Sequence, residues 1–198
     1  SKAIRIVTYL LKARQWPVLL VISLITGVIA GGFAEVDIPL PLLSVAGLPQ
    51  PVLPALGFVI VVSACVHRAE ESWSCASVRN TIAHSHAVVV GALVFAVLVG
   101  AVSSSFSAQN SGLILRDFVG LTALALVGRL MINGRYASLI PSTYVIVAGA
   151  FARDPLGEIR AWCWIVDRDI SNPWAWLTCC IGAVAAIAYQ TRRMPIFN

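Results

Sequence analysis

From Trp16 to Phe33 the chain carries no charged side chain, and the runs Ala55–Val66, Ala87–Val102, Leu139–Phe151 and Trp174–Tyr189 are equally free of charge. A helix needs roughly 17–25 apolar residues to cross a hydrocarbon core, so several of these runs approach that length. Charged residues make up 12% of the chain and the mean hydropathy is +0.86. A soluble domain usually carries about 25% charged residues, too many for this composition to match. The sequence therefore predicts an all-α, polytopic membrane protein in a single transmembrane domain over 1–198. Its six spans fall at approximately 16–33, 55–66, 87–102, 113–127, 139–151 and 174–189.

The segments between the runs set the expected topology. Ser1 to Gln15 places Lys2, Arg5, Tyr9 and Lys12 on one helical side and Ala3, Ile6, Val7, Leu10 and Leu11 on the other. That is the pattern of a basic amphipathic helix at a membrane interface; a flexible positive flank is the competing reading. Gly32-Phe33-Ala34 imitates a small-x-small cleavage site, but the first run reads as a retained span. Ala34 to Pro54 holds Pro39, Pro41, Pro49, Pro51 and Pro54, and proline at this density forbids a continuous helix.

With the N-terminus inside, the inner segments hold Lys2, Arg5, Lys12, Arg14, Arg68, Arg79, Arg129, Arg135, Arg192 and Arg193. The outer ones hold only Arg116, Arg153, Arg160 and Arg168. This bias puts both termini in the cytoplasm and the protein in the cell membrane. The same bias accounts for the net charge of +5 and excludes a nucleic-acid partner.

Chemical motifs are sparse. The chain has no G-x-x-x-x-G-K-[ST], H-E-x-x-H or G-x-S-x-G, so no ATP-hydrolysing or other catalytic constellation is expected, and no cofactor. The five cysteines form no C-x-x-C pair, which argues against a disulfide framework or zinc site. His84 and His86 are two apart, so on a helix they diverge by about 200° and cannot share one metal. Arg116 and Asp117 invite two readings: ionisable groups on a substrate path, or the polar start of a helix. Gly27 and Gly31 form a small-xxx-small pair suited to close helix packing or a dimer interface.

Two segments remain. Between the fifth and sixth runs, Trp162, Trp164, Trp174 and Trp176 cluster with Asp154, Glu158, Asp167 and Asp169. Leu156 to Val166 suits a short helix re-entering the outer leaflet, with a plain loop as the alternative. Val66 to Asn80, VHRAEESWSCASVRN, interrupts two apolar runs with mixed charge. As a helix it would present Trp73 either to a partner's groove or to the inner headgroups.

This order of features resembles the compact six-helix permease subunits of ABC exporters, of the kind found in high-GC bacteria. The likeness rests on an interface helix at Ser1–Gln15, a coupling helix at Arg68–Asn80, outer re-entrant helices at Asp154–Pro173, and a basic tail ending in Arg192-Arg193. It implies an exporter of an amphipathic, lipid-like or peptide compound, with a separate ATPase subunit holding ATP and magnesium. Glu70, Glu71, Trp73 and Arg79 would contact that ATPase. A second permease copy or paralogue, and membrane lipid, would complete the assembly. Three other readings compete: the substrate-binding subunit of an energy-coupling-factor importer, a non-transporting accessory subunit of a membrane complex, and an intramembrane enzyme.

Overall fold

The structure, a computed structural model, describes residues 16–33, 37–38, 48–49, 51–73, 81–105, 107–132 and 134–193. The expected interface helix at 1–15, the second half of the proposed coupling helix with Arg79, and the end of the basic tail lie outside them. Six α-helices are described: α1 (Trp16–Gly32), α2 (Val52–Trp73), α3 (Thr81–Ser103), α4 (Ala108–Met131), α5 (Leu139–Phe151) and α6 (Pro173–Arg193). A 3-10 turn at Gly134–Tyr136 links α4 to α5. In the proline-dense stretch, β1 (Asp37–Ile38) pairs antiparallel with β2 (Leu48–Pro49), Asp37 opposite Pro49.

The helices follow the apolar runs, but the six-span architecture is overturned: no helix among the described residues is long and apolar enough to cross a membrane. The helices also depart from six uniform spans in length and polarity. At 1.5 Å per residue, the 17 residues of α1 and the 13 of α5 reach about 25 and 20 Å, short of a core about 30 Å thick. α2 ends in the polar HRAEESW, and α3 opens on TIAHSH. α4 is the longest, but carries Arg116, Asp117 and Arg129. α6 closes on QTRR.

The break expected after Val66 does not occur either. α2 continues to Trp73, because nothing between Gly57 and Trp73 is a glycine or proline and propagation adds one hydrogen bond per residue. Glu70, Glu71 and Trp73 are therefore the last residues of α2 rather than parts of a separate coupling helix.

α4 is the central helix. It packs against α2, α3, α5 and α6, while α1 lies mainly on α3 and α2. Ile114, Phe118, Leu121 and Ala125 of α4 are buried together with Phe58 and Val59 of α2, Ala96 of α3 and Val145 of α5. The Phe58 and Phe118 rings meet at 5.3 Å with a 52° tilt, a favoured aromatic geometry.

Small residues decide how close the helices come. A Cβ on Gly27 would run into the Ala96 carbonyl and Val99 of α3, and one on Gly31 into the Gly100 carbonyl and Ser103. The structure thus places both glycines against α3 of the same chain. Gly31→Val is expected to lower stability by about 1–3 kcal/mol through overpacking. Gly32→Ala, where open space surrounds the new methyl, should change it by less than about 1 kcal/mol. Equal losses in a denaturant titration would contradict this close approach.

Candidate functional site

The most unusual chemistry in the molecule is a fully buried ion pair on adjacent residues. Arg116 and Asp117 are both 0% exposed, on the third turn of the central helix. Arg116 Nε donates to Asp117 Oδ1 at 3.1 Å, and Nη2 lies 3.1 Å from the same oxygen. Nη1 donates to the main-chain carbonyl of Asp169 at 3.0 Å. The guanidinium carbon also stands 5.8 Å from the centre of the Trp164 ring, within cation–π range. Of the two sequence readings, a polar helix start at the surface is excluded by this burial.

Trp164 roofs the pair. It is 1% exposed and fits because Gly120, one turn along α4, has no side chain: a Cβ there would strike the indole Cη2. Tyr144 of α5 stacks on the other aromatic edge, ring centres 5.4 Å apart and planes at 27°. Its hydroxyl donates to the Trp162 carbonyl at 2.8 Å. Burial raises the Tyr144 phenol well above its ordinary value, so it stays a neutral donor.

Of the two readings of the connection that delivers Trp164, a short helix and a plain loop, the structure takes the loop. Between Ala152 and Asn172 the chain makes turns, because acidic side chains compete for the backbone donors that a helix would use. Asp154 Oδ1 accepts from the N–H groups of Leu156 and Glu158 at 2.9 and 3.0 Å, Asp167 Oδ1 from that of Asp169 at 2.9 Å, and Asp169 Oδ1 from that of Ser171 at 2.9 Å. Gly157 at φ +87° turns the chain back, and Arg153 bridges to Ile159. The connection ends on a helix cap: Asn172 Oδ1 accepts from Trp174 N–H at 3.0 Å, with Pro173 at the first helical position, where its missing N–H costs nothing. Asn172 also donates to Asp167 Oδ2 at 3.1 Å.

Of the four residues expected in this segment, only Trp164 reaches the buried pair. Asp167 organises the cap, while Trp162 and Trp174 stay partly exposed, as does Trp176. Arg116, Asp117, Gly120 and Tyr144 complete the site and were not singled out together by the sequence. Among the described residues, no three His, Cys, Asp or Glu side chains come together in a way that could hold a metal. At the far end of α4 a cleft of about 20 Å³ lies between Val59, Val62 and Val66 of α2, Val89 of α3, and Thr122 and Arg129 of α4. It has room for about one water.

Burial pushes the Asp117 carboxyl up to about 7, against the lowering charge and hydrogen bond of Arg116. Desolvation penalises the charged form, and here it outweighs the neighbouring cation. Asp169 is opposite in character: the N–H and hydroxyl of Ser171 hold its exposed carboxyl below the ordinary value. The site therefore pairs one carboxyl poised near neutrality with another that stays ionised, the first bonded to Arg116 directly and the second on the residue whose main-chain carbonyl accepts from Arg116. No family model matches the chain, and neither a curated protein nor a solved structure matches it.

Proposed function

We propose that this chain is an accessory subunit of a membrane-associated assembly, held at the membrane by apolar outer helix faces that enter the acyl region without crossing it. One observation carries the reading: the outward faces of the peripheral helices are apolar and uncharged. α1 exposes Val18, Val21, Leu24, Ile25 and Val28; α3 exposes Val90, Val94, Leu98 and Val102 along one ridge; α6 exposes Leu177, Ile181, Val184 and Ile187. Apart from the adjacent Leu24 and Ile25, these residues recur at intervals of three and four, so each set forms a stripe along its helix. A monomer in water rarely shows contiguous apolar patches larger than a few hundred Å².

The two ends of the bundle favour lipid over a protein groove. Trp162, Trp174 and Trp176 are half-exposed at the end that carries the acidic connection. Trp176 Nε1 donates to the Ile170 carbonyl at 3.3 Å, so this indole is apolar outward and hydrogen-bonded inward, as at a headgroup boundary. Arg68 and Arg135 are exposed near the opposite end. The transport role implied by the resemblance to ABC permeases depends on helices that cross the bilayer, and it is not carried forward. A partner for the end of α2, where Glu70, Glu71 and Trp73 lie, remains part of the proposal.

The test is labelling with a diazirine-bearing phospholipid in the producing membrane, after an alkaline carbonate wash. Retention in the pellet, with label on peptides from α1 and α6, is the expected result. Release into the supernatant without label would overturn the reading.

A further inference from the structure

The hydrogen bonding of the buried pair is lopsided. Both contacts from Arg116 fall on Asp117 Oδ1, whereas Asp117 Oδ2 has no hydrogen-bond partner; neither does Arg116 Nη2. A buried carboxylate oxygen left bare carries the full desolvation penalty. A proton on Oδ2 removes that charge and leaves Oδ1 free to accept from Arg116 Nε as before. The guanidinium then becomes the unbalanced charge in the site, and Arg116 already holds the Asp169 main chain through Nη1.

We propose that Asp117 is a proton-binding site loaded at Oδ2, and that loading shifts Arg116 from Asp117 towards the Asp169 turn, resetting the connection 152–172 on the bundle. The proton comes from solvent and returns to it, so no other reactant is needed. Asp169 is suited to receive the arginine, because the Ser171 hydrogen bonds keep it ionised when Asp117 is not. The movement would be felt first by Trp164, which lies over the guanidinium.

The other groups around Asp117 do not compete for this proton. Arg116 shares its helix, Tyr144 faces it from α5, and on the connection Cys163 lies near Tyr144 while the Asp169 carbonyl accepts from Arg116. Burial pushes the Cys163 thiol up to about 11 and raises the Tyr144 phenol, so both are neutral near pH 7. α6 carries Cys179, also pushed up to about 11 by burial, and Cys180. α2 packs Phe58 against this region and has no ionisable side chain but Cys65 before His67, while those of α3, His84 and His86, lie in its first two turns. α1 has none from Trp16 to Gly32. This inference does not depend on what covers the apolar faces.

The test is infrared difference spectroscopy on the full chain, titrated from about pH 9 to about pH 5, with tryptophan emission followed in parallel. A protonated-carboxyl band with a midpoint near 7 is expected, shifted by isotope-labelled aspartate and missing in Asp117→Asn. Tryptophan emission should change with the same midpoint, and Asp117→Asn should hold the acid-form emission throughout. Absence of the band in the native chain overturns the proposal even if the variant fails to fold. Persistence of the band in a folded Asp117→Asn overturns it as well. A band that titrates while tryptophan emission stays flat overturns the coupling to the connection.

Discussion

Replacing Arg116 with alanine is expected to lower the unfolding free energy by about 3–5 kcal/mol near pH 8, and by clearly less near pH 5. The expectation follows from what the substitution strands. Asp117 is 0% exposed, and its only hydrogen-bonded oxygen is served by Arg116. Above the native midpoint of about 7, the variant must either keep an uncompensated buried charge or take up a proton against the solution pH. Below it, Asp117 is already neutral in the native chain, and the variant loses only a hydrogen bond, a contact with Trp164 and some packing.

The sign can be checked on the native chain alone. The folded carboxyl lies above its unfolded value, so the stability it contributes is fully present below about pH 4 and is lost as pH rises through about 7. Denaturant titrations at several pH values, in mild detergent, measure both trends. A penalty independent of pH would mean that Asp117 stays in one protonation state, and a penalty below about 1 kcal/mol would mean that the pair is not buried.

Most helices were legible in the sequence because their apolar runs are bounded by residues that stop or disfavour helix, α2 being the exception. Ser103 to Ser107 separates α3 from α4, and Asn133-Gly134 separates α4 from α5. Span length was the failure, and the reason is local. An apolar run shows where a helix can bury itself, but not whether it buries against lipid or against another helix. α4 decides the point: its run holds Arg116 and Asp117, and the structure covers them with protein on every side.

That burial could not be read locally. Adjacent residues on a helix point about 100° apart, and two opposite charges at the head of an apolar run look like any polar helix start. The partners that give the pair its character are Tyr144, Trp164 and the Asp169 carbonyl, each more than two dozen residues away in the chain. The four tryptophans raise the same difficulty. All sit among small and acidic residues, and only the missing side chain at Gly120 selects Trp164 for the interior. For the connection the sequence admits both a short helix, since Leu156–Val166 has helical spacing, and a plain loop, and the structure has turns. Asp154, Gly157 and Asp167 were the contrary signals, since each supplies a turn.

Trp164 offers the second large effect. Trp164→Ala is expected to cost about 3–5 kcal/mol near pH 5 and less near pH 8, the opposite trend to the loss of Arg116, because it relieves the desolvation of Asp117. The indole fills the space over Gly120, stacks on Tyr144 and shields the guanidinium, so its removal opens a cavity directly above a buried charge. Water entering that cavity would solvate Arg116 and Asp117, and the Asp117 midpoint should fall from about 7 towards the ordinary carboxylate range. Trp164→Phe keeps an aromatic face over Arg116 and fills most of the volume, so it should lose less stability and retain most of the raised midpoint. Thermal or denaturant unfolding gives the first quantity, and the infrared carboxyl titration gives the second. If Trp164→Ala destabilised the fold while leaving the midpoint near 7, the indole would be a packing residue only, and the desolvation of Asp117 would have to come from α4 and its helix neighbours. A midpoint that falls in step with the loss of the ring would identify the Trp-bearing connection as the element that keeps water from the pair.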